Sequence, residues 1–217
     1  MAEVNNYNKL FSKTPHLFGE EPDKYLKKHV HLLNNSSPVL DVACAQGRNS
    51  FFLARKGFDV VSIDPSEVAI DGIRKTAKDE NLSINCFQTV LEDFDAEKES
   101  FGTIIVFGLF QMLEMHSILE AINKLKSLLI TNGYIFISAW TVDDSSYDKS
   151  RETGIELTPH SFQLPEGHIR TYLKPHQLAE LFKEMETIYY WEGEGDWHSH
   201  GDSPPEQHAR VEAVFKK

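Results

Sequence analysis

The sequence predicts an α/β three-layer sandwich, in which helices cover both faces of a mostly parallel, seven-stranded sheet. Short apolar runs bounded by turn residues alternate with segments whose apolar residues recur at helical spacing. That alternation is typical of parallel strands joined by crossover helices. The last two strand-like runs have no helix between them, which predicts a closing hairpin and an antiparallel C-terminal strand. With 217 residues, 41% of them hydrophobic, one domain with a substantial core is expected.

The N-terminal half supplies three of the strands. Its first helix has apolar residues at helical spacing and ends at the polar run 34–38. Gly57 ends the second helix. The predicted elements of this half are, in order, helix 22–33, strand 39–43, helix 48–56, strand 59–64, helix 66–80 and strand 84–90.

The C-terminal half contains a long segment that does not follow this pattern. Residues 141–174 are polar and irregular, and a loop of that length within a compact domain is typically a functional lid. Earlier in this half, a helix with the apolar stripe Ile118, Ile122, Leu125 and Leu129 is predicted to end at Asn132-Gly133. The other predicted elements are strand 103–107, strand 134–140, helix 175–185, strand 187–192 and strand 209–215.

Composition excludes several classes of protein. The formal net charge is -11, with 22 Lys and Arg against 33 Asp and Glu, so a nucleic acid is not the expected partner. No run approaches the roughly 18 apolar residues of a membrane span, and the N-terminus has no apolar signal core. The two cysteines fit a reducing cytoplasm. We therefore expect a cytoplasmic protein, not bound to membranes, that acts on a small molecule.

The most informative segment is 39–49, VLDVACAQGRN. Ligands of open α/β sheets bind beyond the carboxyl ends of the strands, so the turn after the first strand needs small residues, and Ala43, Ala45 and Gly47 satisfy this. Asp64 ends the next strand, where its carboxylate can accept hydrogen bonds from ribose hydroxyls. Asp41 would attract an amine-bearing ligand and repel a pyrophosphate.

The dinucleotide fingerprint G-x-G-x-x-G does not fit this turn. Its three glycine positions correspond to Ala43, Ala45 and Arg48. A nicotinamide-dependent oxidoreductase is therefore the weaker alternative.

With these motifs the chain resembles class I S-adenosylmethionine-dependent methyltransferases, particularly the small-molecule group that includes the tellurite-resistance and thiopurine methyltransferases. The similar segments are 18–22 (N-terminal cap), 40–49 (first cofactor motif), 63–66 (ribose corner), 90–94 (adenine loop), 101–113 (fourth strand and turn) and 132–133 (turn before the fifth strand). The resemblance implies a Rossmann-like fold, with S-adenosyl-L-methionine as cofactor and S-adenosyl-L-homocysteine as product. The implied single domain, 1–217, comprises a cap (1–37), a cofactor-binding core (38–140), a lid-like insertion (141–174) and a C-terminal helix and hairpin (175–217).

The resemblance also implies the residues of the site. Those expected to bind the cofactor are Asp41, Ala43, Cys44, Ala45, Gly47, Asn49, Asp64, Pro65, Leu91, Glu92, Phe107 and Gly108. Those expected to contact the acceptor are Phe18, Phe110 and Arg170. No catalytic residue is identified, but an amine or hydroxyl acceptor would need a base, for which His168, His198 and His200 are candidates.

The histidine-rich segment 197–208 is interpreted as an exposed or acceptor-binding loop. Its H-x-H spacing is short and common, so no metal site is expected. The accepting atom (sulfur, nitrogen, oxygen or a metalloid) and the choice between monomer and homodimer stay open.

The chain departs from the family pattern at four positions. Ala45 replaces the glycine normally nearest the ligand, Val90 stands where many members have Asp, and Gly102 and Gln111 replace the usual Asp and His. These departures keep a second hypothesis open, a non-catalytic module that binds the cofactor without turnover.

Overall fold

The computed structural model describes residues 2–33, 35–201 and 203–217, apart from the side chains of residues 2, 3 and 5. The helices are α1 (Ala2–Lys13), α2 (Lys24–His29), α3 (Arg48–Arg55), α4 (Glu67–Asp79), α5 (Met115–Leu128), α6 (Tyr147–Thr153) and α7 (Gln177–Leu181). The strands are β1 (Val39–Val42), β2 (Val60–Asp64), β3 (Ile84–Gln88), β4 (Phe101–Phe107), β5 (Leu129–Trp140), β6 (Ile155–Thr158), β7 (Ser161–Gln163), β8 (Ile169–Thr171), β9 (Glu186–Glu194) and β10 (Ala209–Lys216). Short 3₁₀ turns cover Val30–Leu32 and Phe110–Met112.

The main sheet has seven strands in the order β3-β2-β1-β4-β5-β10-β9. The first five in that order pair in parallel, whereas β10 pairs antiparallel with both β5 and β9. This confirms the predicted fold class, including its antiparallel C-terminal strand. The strand order reverses on either side of β1, so β1 and β4 form the switch point beside which ligands of such sheets bind.

The core lies on both faces of this sheet. Neighbouring residues of a strand point to opposite faces, as Ile104 and Ile105 of β4 illustrate. Ile104 shares a buried cluster with Ile118 of α5, and Ile105 shares another with Leu26 of α2 and Leu53 of α3. Helices thus cover the sheet on each side, as the alternation of strands and helices predicts.

Residues 141–174 are more regular than their composition suggests. They contain α6 and a separate antiparallel sheet in the order β6-β7-β8. Phe162 and Tyr172 anchor this unit because both side chains are buried, and the Tyr172 hydroxyl lies 2.9 Å from Ser146 Oγ and 2.8 Å from Ser150 Oγ. The interpretation of the segment as irregular was therefore wrong, whereas its proposed role as a lid stays a prediction.

Two further differences concern the ends of elements. The helix predicted to reach Asn132 ends at Leu128, since Leu129 already pairs with Phe101 as the first residue of β5. Helix α1 was not predicted at all. It packs against α4 through a cluster that includes Tyr7 and Phe11.

Within the described residues, no helix combines the length and the apolar composition that crossing a bilayer requires.

Candidate functional site

A cavity of about 1060 Å³ opens at the carboxyl ends of β1, β2 and β4. Cavities that hold a small ligand measure roughly 300 to 1000 Å³, so this one lies at the upper end of that range. Asp41 and Asp64 both line it. The two carboxylates therefore share the crevice in which the sequence predicted them to meet.

The turn after β1 has a left-handed backbone at three alternate residues. The φ angles are +56° at Ala43, +47° at Ala45 and +83° at Gly47. A Cβ atom at Gly47 would lie 2.8 Å from Ile73 Cγ1, so only glycine fits there. At the other two positions an L-residue in this conformation costs roughly 1–2 kcal/mol.

Alanine at position 45 has a packing partner. Ala45 lies against an apolar cluster formed by Phe11, Leu17 and Ala69, which brings α1 and α4 together beside the turn. The contact with α1 gives the Ala45 methyl group an apolar environment, which offsets part of the backbone strain.

Asp41 is buried in the sheet beneath this turn. Its Oδ2 accepts a hydrogen bond of 2.5 Å from the Ser50 hydroxyl, and that hydroxyl accepts one of 2.8 Å from Ser62. Burial raises the pKa of Asp41 to about 7, against the opposing effect of the Ser50 hydrogen bond. A partner with a positive charge would favour the ionised form of this carboxyl.

The Asp64 carboxylate binds the backbone of two segments, the turn after β1 and the residues that precede α4. Oδ2 accepts a hydrogen bond of 2.9 Å from the Ala45 amide, and Oδ1 accepts one of 2.8 Å from the Ser66 amide. Burial raises the pKa of Asp64, and these two backbone bonds oppose the rise. A carboxylate has about four acceptor sites, so each oxygen can still accept a donor from a ligand in the cavity.

Residues at the end of the turn and at the start of α3 hold the N-terminal segment beside the cavity. Gln46 accepts a hydrogen bond of 2.7 Å from the Leu17 amide and donates one of 3.1 Å to the Thr14 carbonyl. Arg48 donates to the Phe18 carbonyl at 2.9 Å, and Asn49 Oδ1 accepts from the Asp23 amide at 2.9 Å. Residues of α1 and of the following turn consequently form one wall of the cavity: Val4, Tyr7, Leu10, Phe11, Leu17 and Phe18.

Histidine side chains from the loop between β9 and β10 line the same cavity. His198, His200 and His208 all lie there, beside Glu206. The His208 ring stacks on Trp140 with 4.1 Å between ring centroids. Arg170 also approaches Trp140, with its Cζ 5.7 Å from the centroid of the indole ring.

The structure brings most of the predicted site residues to this cavity. Those that line it are Asp41, Ala43, Cys44, Ala45, Asn49, Asp64, Pro65, Leu91, Glu92, Phe107 and Gly108 among the expected cofactor contacts, Phe18 and Arg170 among the acceptor contacts, and His198 and His200 among the candidate bases.

Three predicted residues lie elsewhere. Gly47 acts through its backbone and faces Ile73 rather than the cavity. Phe110 is only 1% exposed and belongs to the core, because the 3₁₀ turn directs its ring inward while Gln111 and Leu109 line the cavity. His168 lies beyond the cavity, at the hairpin that joins β7 to β8, where its carbonyl accepts from Leu164 at 2.8 Å.

Sequence reasoning missed several residues of the site. Gln46 and Glu206 carried no recognisable signal, whereas the helical spacing of Tyr7 and Phe11 was visible and overlooked. Gln111 was noted only as a departure from the family. Among the described residues, its Oε1 is one of few buried side-chain atoms without a hydrogen-bond partner, and it lies at the cavity.

Comparison with known proteins agrees with this geometry. Residues 39–133 match the family model for the methyltransferase domain. The chain is 29% identical over 161 residues to the probable S-adenosyl-L-methionine-dependent methyltransferase TehB of Haemophilus influenzae, covering 73% of this chain and 52% of that protein. It is 30% identical over 113 residues to an uncharacterized methyltransferase of Schizosaccharomyces pombe, covering 50% of this chain and 74% of that protein.

Solved structures share the fold. The crystal structure of Haemophilus influenzae TehB superposes with a TM-score of 0.66 at 24% identity, covering 90% of this chain and 66% of that one. The crystal structure of a Burkholderia thailandensis 1,6-didemethyltoxoflavin-N1-methyltransferase with bound S-adenosylhomocysteine superposes with a TM-score of 0.64 at 15% identity. The match covers 89% of this chain and 76% of that one. The chain spans about half the length of the TehB sequence that it matches. From the motif turn, the strand order and these relatives together, the chain belongs to the class I S-adenosylmethionine-dependent methyltransferases.

Proposed function

We propose that this chain transfers a methyl group from S-adenosyl-L-methionine to a small-molecule acceptor. The observation that carries the proposal is the pair of carboxylates, Asp41 and Asp64, which lie near the carboxyl ends of neighbouring strands and line one cavity. In the proposed complex Asp64 accepts hydrogen bonds from the ribose hydroxyls, and Asp41 opposes the amino group of the methionine portion.

The residues present fit this cofactor. The turn at 43–47 exposes backbone beside the cavity, and Pro65 and Leu91 offer apolar surface for an adenine ring. The buried Gln111 Oε1, without a partner among the described residues, is an acceptor that a bound molecule can satisfy. When bound, the cofactor supplies an electrophilic methyl group on a sulfonium.

The contribution of the protein is then alignment and exclusion of water. Methyl transfer requires the acceptor atom to be in line with the methyl group, about 3 to 3.5 Å away. Residues of α1 and Phe18 form one wall of the cavity, which limits the access of solvent to such an arrangement. We place the acceptor beside Phe18 and Arg170, which both line the cavity.

The accepting atom decides whether a base is needed. A thiolate, a selenide or a metalloid oxyanion attacks without one, whereas an amine or hydroxyl must lose a proton. His198 and His200 lie on the cavity and are the proposed bases for the second case. We do not assign that role to His168, which lies outside the cavity.

The proposed setting is the cytoplasm, with the chain acting as a monomer or a homodimer. Both of its cysteines, Cys44 and Cys86, are free thiols, as a reducing compartment favours.

Calorimetric titration with S-adenosylhomocysteine tests cofactor binding. We expect Asp64→Ala to weaken binding tenfold or more, since it removes the acceptor of the ribose hydroxyls. Asp71→Ala is the matched control, because that carboxylate lies on α4 with 63% of its side chain exposed. Asp64→Asn keeps an acceptor for the Ala45 or Ser66 amide and separates a binding defect from misfolding.

Absence of S-adenosylhomocysteine binding to the intact chain would refute the proposal. Binding without turnover across a panel of thiols, amines, phenols and metalloid oxyanions would favour the non-catalytic module. Thermal stabilisation by NAD(P) but not by S-adenosylhomocysteine would favour the oxidoreductase.

A further inference from the structure

Three side chains with metal-ligating atoms meet at the edge of the cavity. One nitrogen of His198, one nitrogen of His200 and one carboxylate oxygen of Glu206 all lie within 4.8 Å of one another. All three side chains are half-buried and line the cavity. The arrangement is therefore accessible from the cavity without being an open surface cluster.

The backbone of the loop between β9 and β10 creates this juxtaposition. The His198 amide donates to the Glu206 carbonyl at 3.0 Å, and the Glu206 amide donates to the His198 carbonyl at 2.7 Å. This isolated antiparallel bridge brings together residues eight positions apart. His200 follows two residues after the bridge, and its Nδ1 lies 3.0 Å from Glu206 Oε1.

A backbone carbonyl orients the His198 ring as such groups do around metal ligands, and an Asp144–His208 pair lies beside the cluster. The Nδ1 atom of His198 lies 3.0 Å from the Asp196 carbonyl, which leaves Nε2 directed away from that contact. Beside the cluster, Asp144 Oδ2 lies 2.8 Å from His208 Nδ1, and His208 Nε2 lies 3.7 Å from Glu206 Oε1. Carbonyl and carboxylate contacts to the second ring nitrogen are the usual support of ligating histidines.

We propose that His198, His200 and Glu206 form a binding site for a divalent transition-metal ion, with Zn²⁺ as the expected occupant. Imidazole and carboxylate ligands suit this class of ion, and three protein ligands leave a position open toward the cavity, as in catalytic zinc sites. With bonds of about 2.1 Å, ligand atoms in a tetrahedral site are about 3.4 Å apart. The His200–Glu206 pair, at 3.0 Å, needs to lengthen by about 0.4 Å, and the other separations need to shorten by up to about 1.4 Å.

Nearby positive charges do not oppose the ion strongly, because acidic partners balance them. Arg48 pairs with Asp23 at 3.7 Å, and the Nε of Arg210 donates to Glu212 at 2.9 Å. Glu206 brings the negative charge that the two neutral imidazoles lack. The H-x-H spacing alone had predicted no metal, since Glu206 joins the histidines only through the folded loop.

Zinc titration of untagged, full-length chain previously treated with EDTA tests the proposal. We expect one Zn²⁺ per chain and a visible absorption spectrum of tetrahedral character when Co²⁺ is used instead. His198→Ala, His200→Ala and Glu206→Gln should each lower zinc affinity tenfold or more.

His116→Ala is the matched control, because that histidine lies on α5 with 68% of its side chain exposed. Absence of stoichiometric zinc uptake would overturn the proposal, as would equal loss of affinity in His198→Ala and His116→Ala. Circular dichroism of each variant shows whether it is folded. If one of the variants unfolds, the zinc affinity of His200→Gln is measured in its place. An unchanged zinc affinity in His200→Gln would count against the site.

Zinc binding does not rest on the proposed function, but it changes one part of it. A histidine coordinated to zinc has no free lone pair to act as the base for an amine or hydroxyl acceptor, so His198 and His200 are the proposed bases for the zinc-free chain alone. Titration of the zinc-free chain with S-adenosylhomocysteine therefore separates the two. Failure of zinc binding with intact S-adenosylhomocysteine binding overturns only the metal site, and the reverse result overturns only the methyltransferase proposal.

Discussion

Replacement of Asp41 by asparagine should stabilise the unliganded protein while it weakens cofactor binding. Burial raises the pKa of Asp41 from 3.8 to about 7, so the ionised carboxylate is unfavourable in the folded state. A shift of about 3 pH units corresponds to about 4 kcal/mol above pH 7. Asparagine has nearly the same shape, carries no charge and still accepts the hydrogen bond from Ser50. We expect the variant to recover a substantial part of that free energy.

The sign of the effect follows from proton linkage. The folded protein holds the Asp41 proton more tightly than the unfolded chain does, so the stability linked to this proton is complete below about pH 4. It is lost progressively as the pH rises from about 4 to about 7. Because asparagine does not titrate, the free energy of unfolding of the variant should rise relative to that of the natural protein between about pH 4 and pH 7. The gain should be about 3 kcal/mol larger at pH 8 than at pH 5.

Urea unfolding of both proteins at several values from pH 5 to pH 8 measures this difference. Titrating groups remote from Asp41 affect both proteins alike, so the difference reports Asp41 together with its electrostatic interaction with Asp64. Asp71→Asn, at an exposed site on α4, gives the reference for a surface substitution. A stability difference between Asp41→Asn and the natural protein that is equal at pH 5 and pH 8 would refute the argument. In parallel, calorimetry should show that Asp41→Asn binds S-adenosylhomocysteine at least tenfold more weakly, since the variant lacks the carboxylate that attracts the amino group of the ligand.

Two further predictions concern the turn and the cap. Ala45→Gly should raise the free energy of unfolding, measured with urea, by up to about 1 kcal/mol, because it relieves the left-handed strain. The control Ala54→Gly, in the right-handed helix α3, should lower the free energy of unfolding by about 1 kcal/mol. A loss of stability in Ala45→Gly would mean that the contact of the methyl group outweighs the strain. Gln46→Ala should accelerate tryptic cleavage after Lys13, because its hydrogen bond to Leu17 secures the segment that follows α1, and unchanged cleavage would show that other contacts hold the cap.

The succession of strands and helices along the chain and the ligand-binding turn were predictable because they depend on local signals. An apolar run that ends in an acid, followed by small residues and a helix, specifies the β1 turn without help from distant residues. The same holds for Asp64 at the end of β2. Both carboxylates were therefore placed correctly, and the structure brings them to one cavity.

The remaining features depend on contacts between distant parts of the chain. Leu129 fits the apolar stripe of α5, and only its pairing with Phe101 makes it part of β5. Phe110 was expected at the acceptor because of its position after β4, but the orientation of a 3₁₀ turn placed its ring in the core. Glu206 reaches His200 through a backbone bridge that no local pattern reveals.

Gln46 lies in the turn that would contact the cofactor, Asn49 follows that turn, and both bind the N-terminal segment. We therefore expect occupancy of the crevice and docking of this segment to be coupled equilibria. By reciprocity, the factor by which docking of the segment raises the affinity for a ligand equals the factor by which that ligand raises the equilibrium constant for docking. We expect release of the demethylated product to require detachment of this segment, which would make its opening rate an upper limit on turnover.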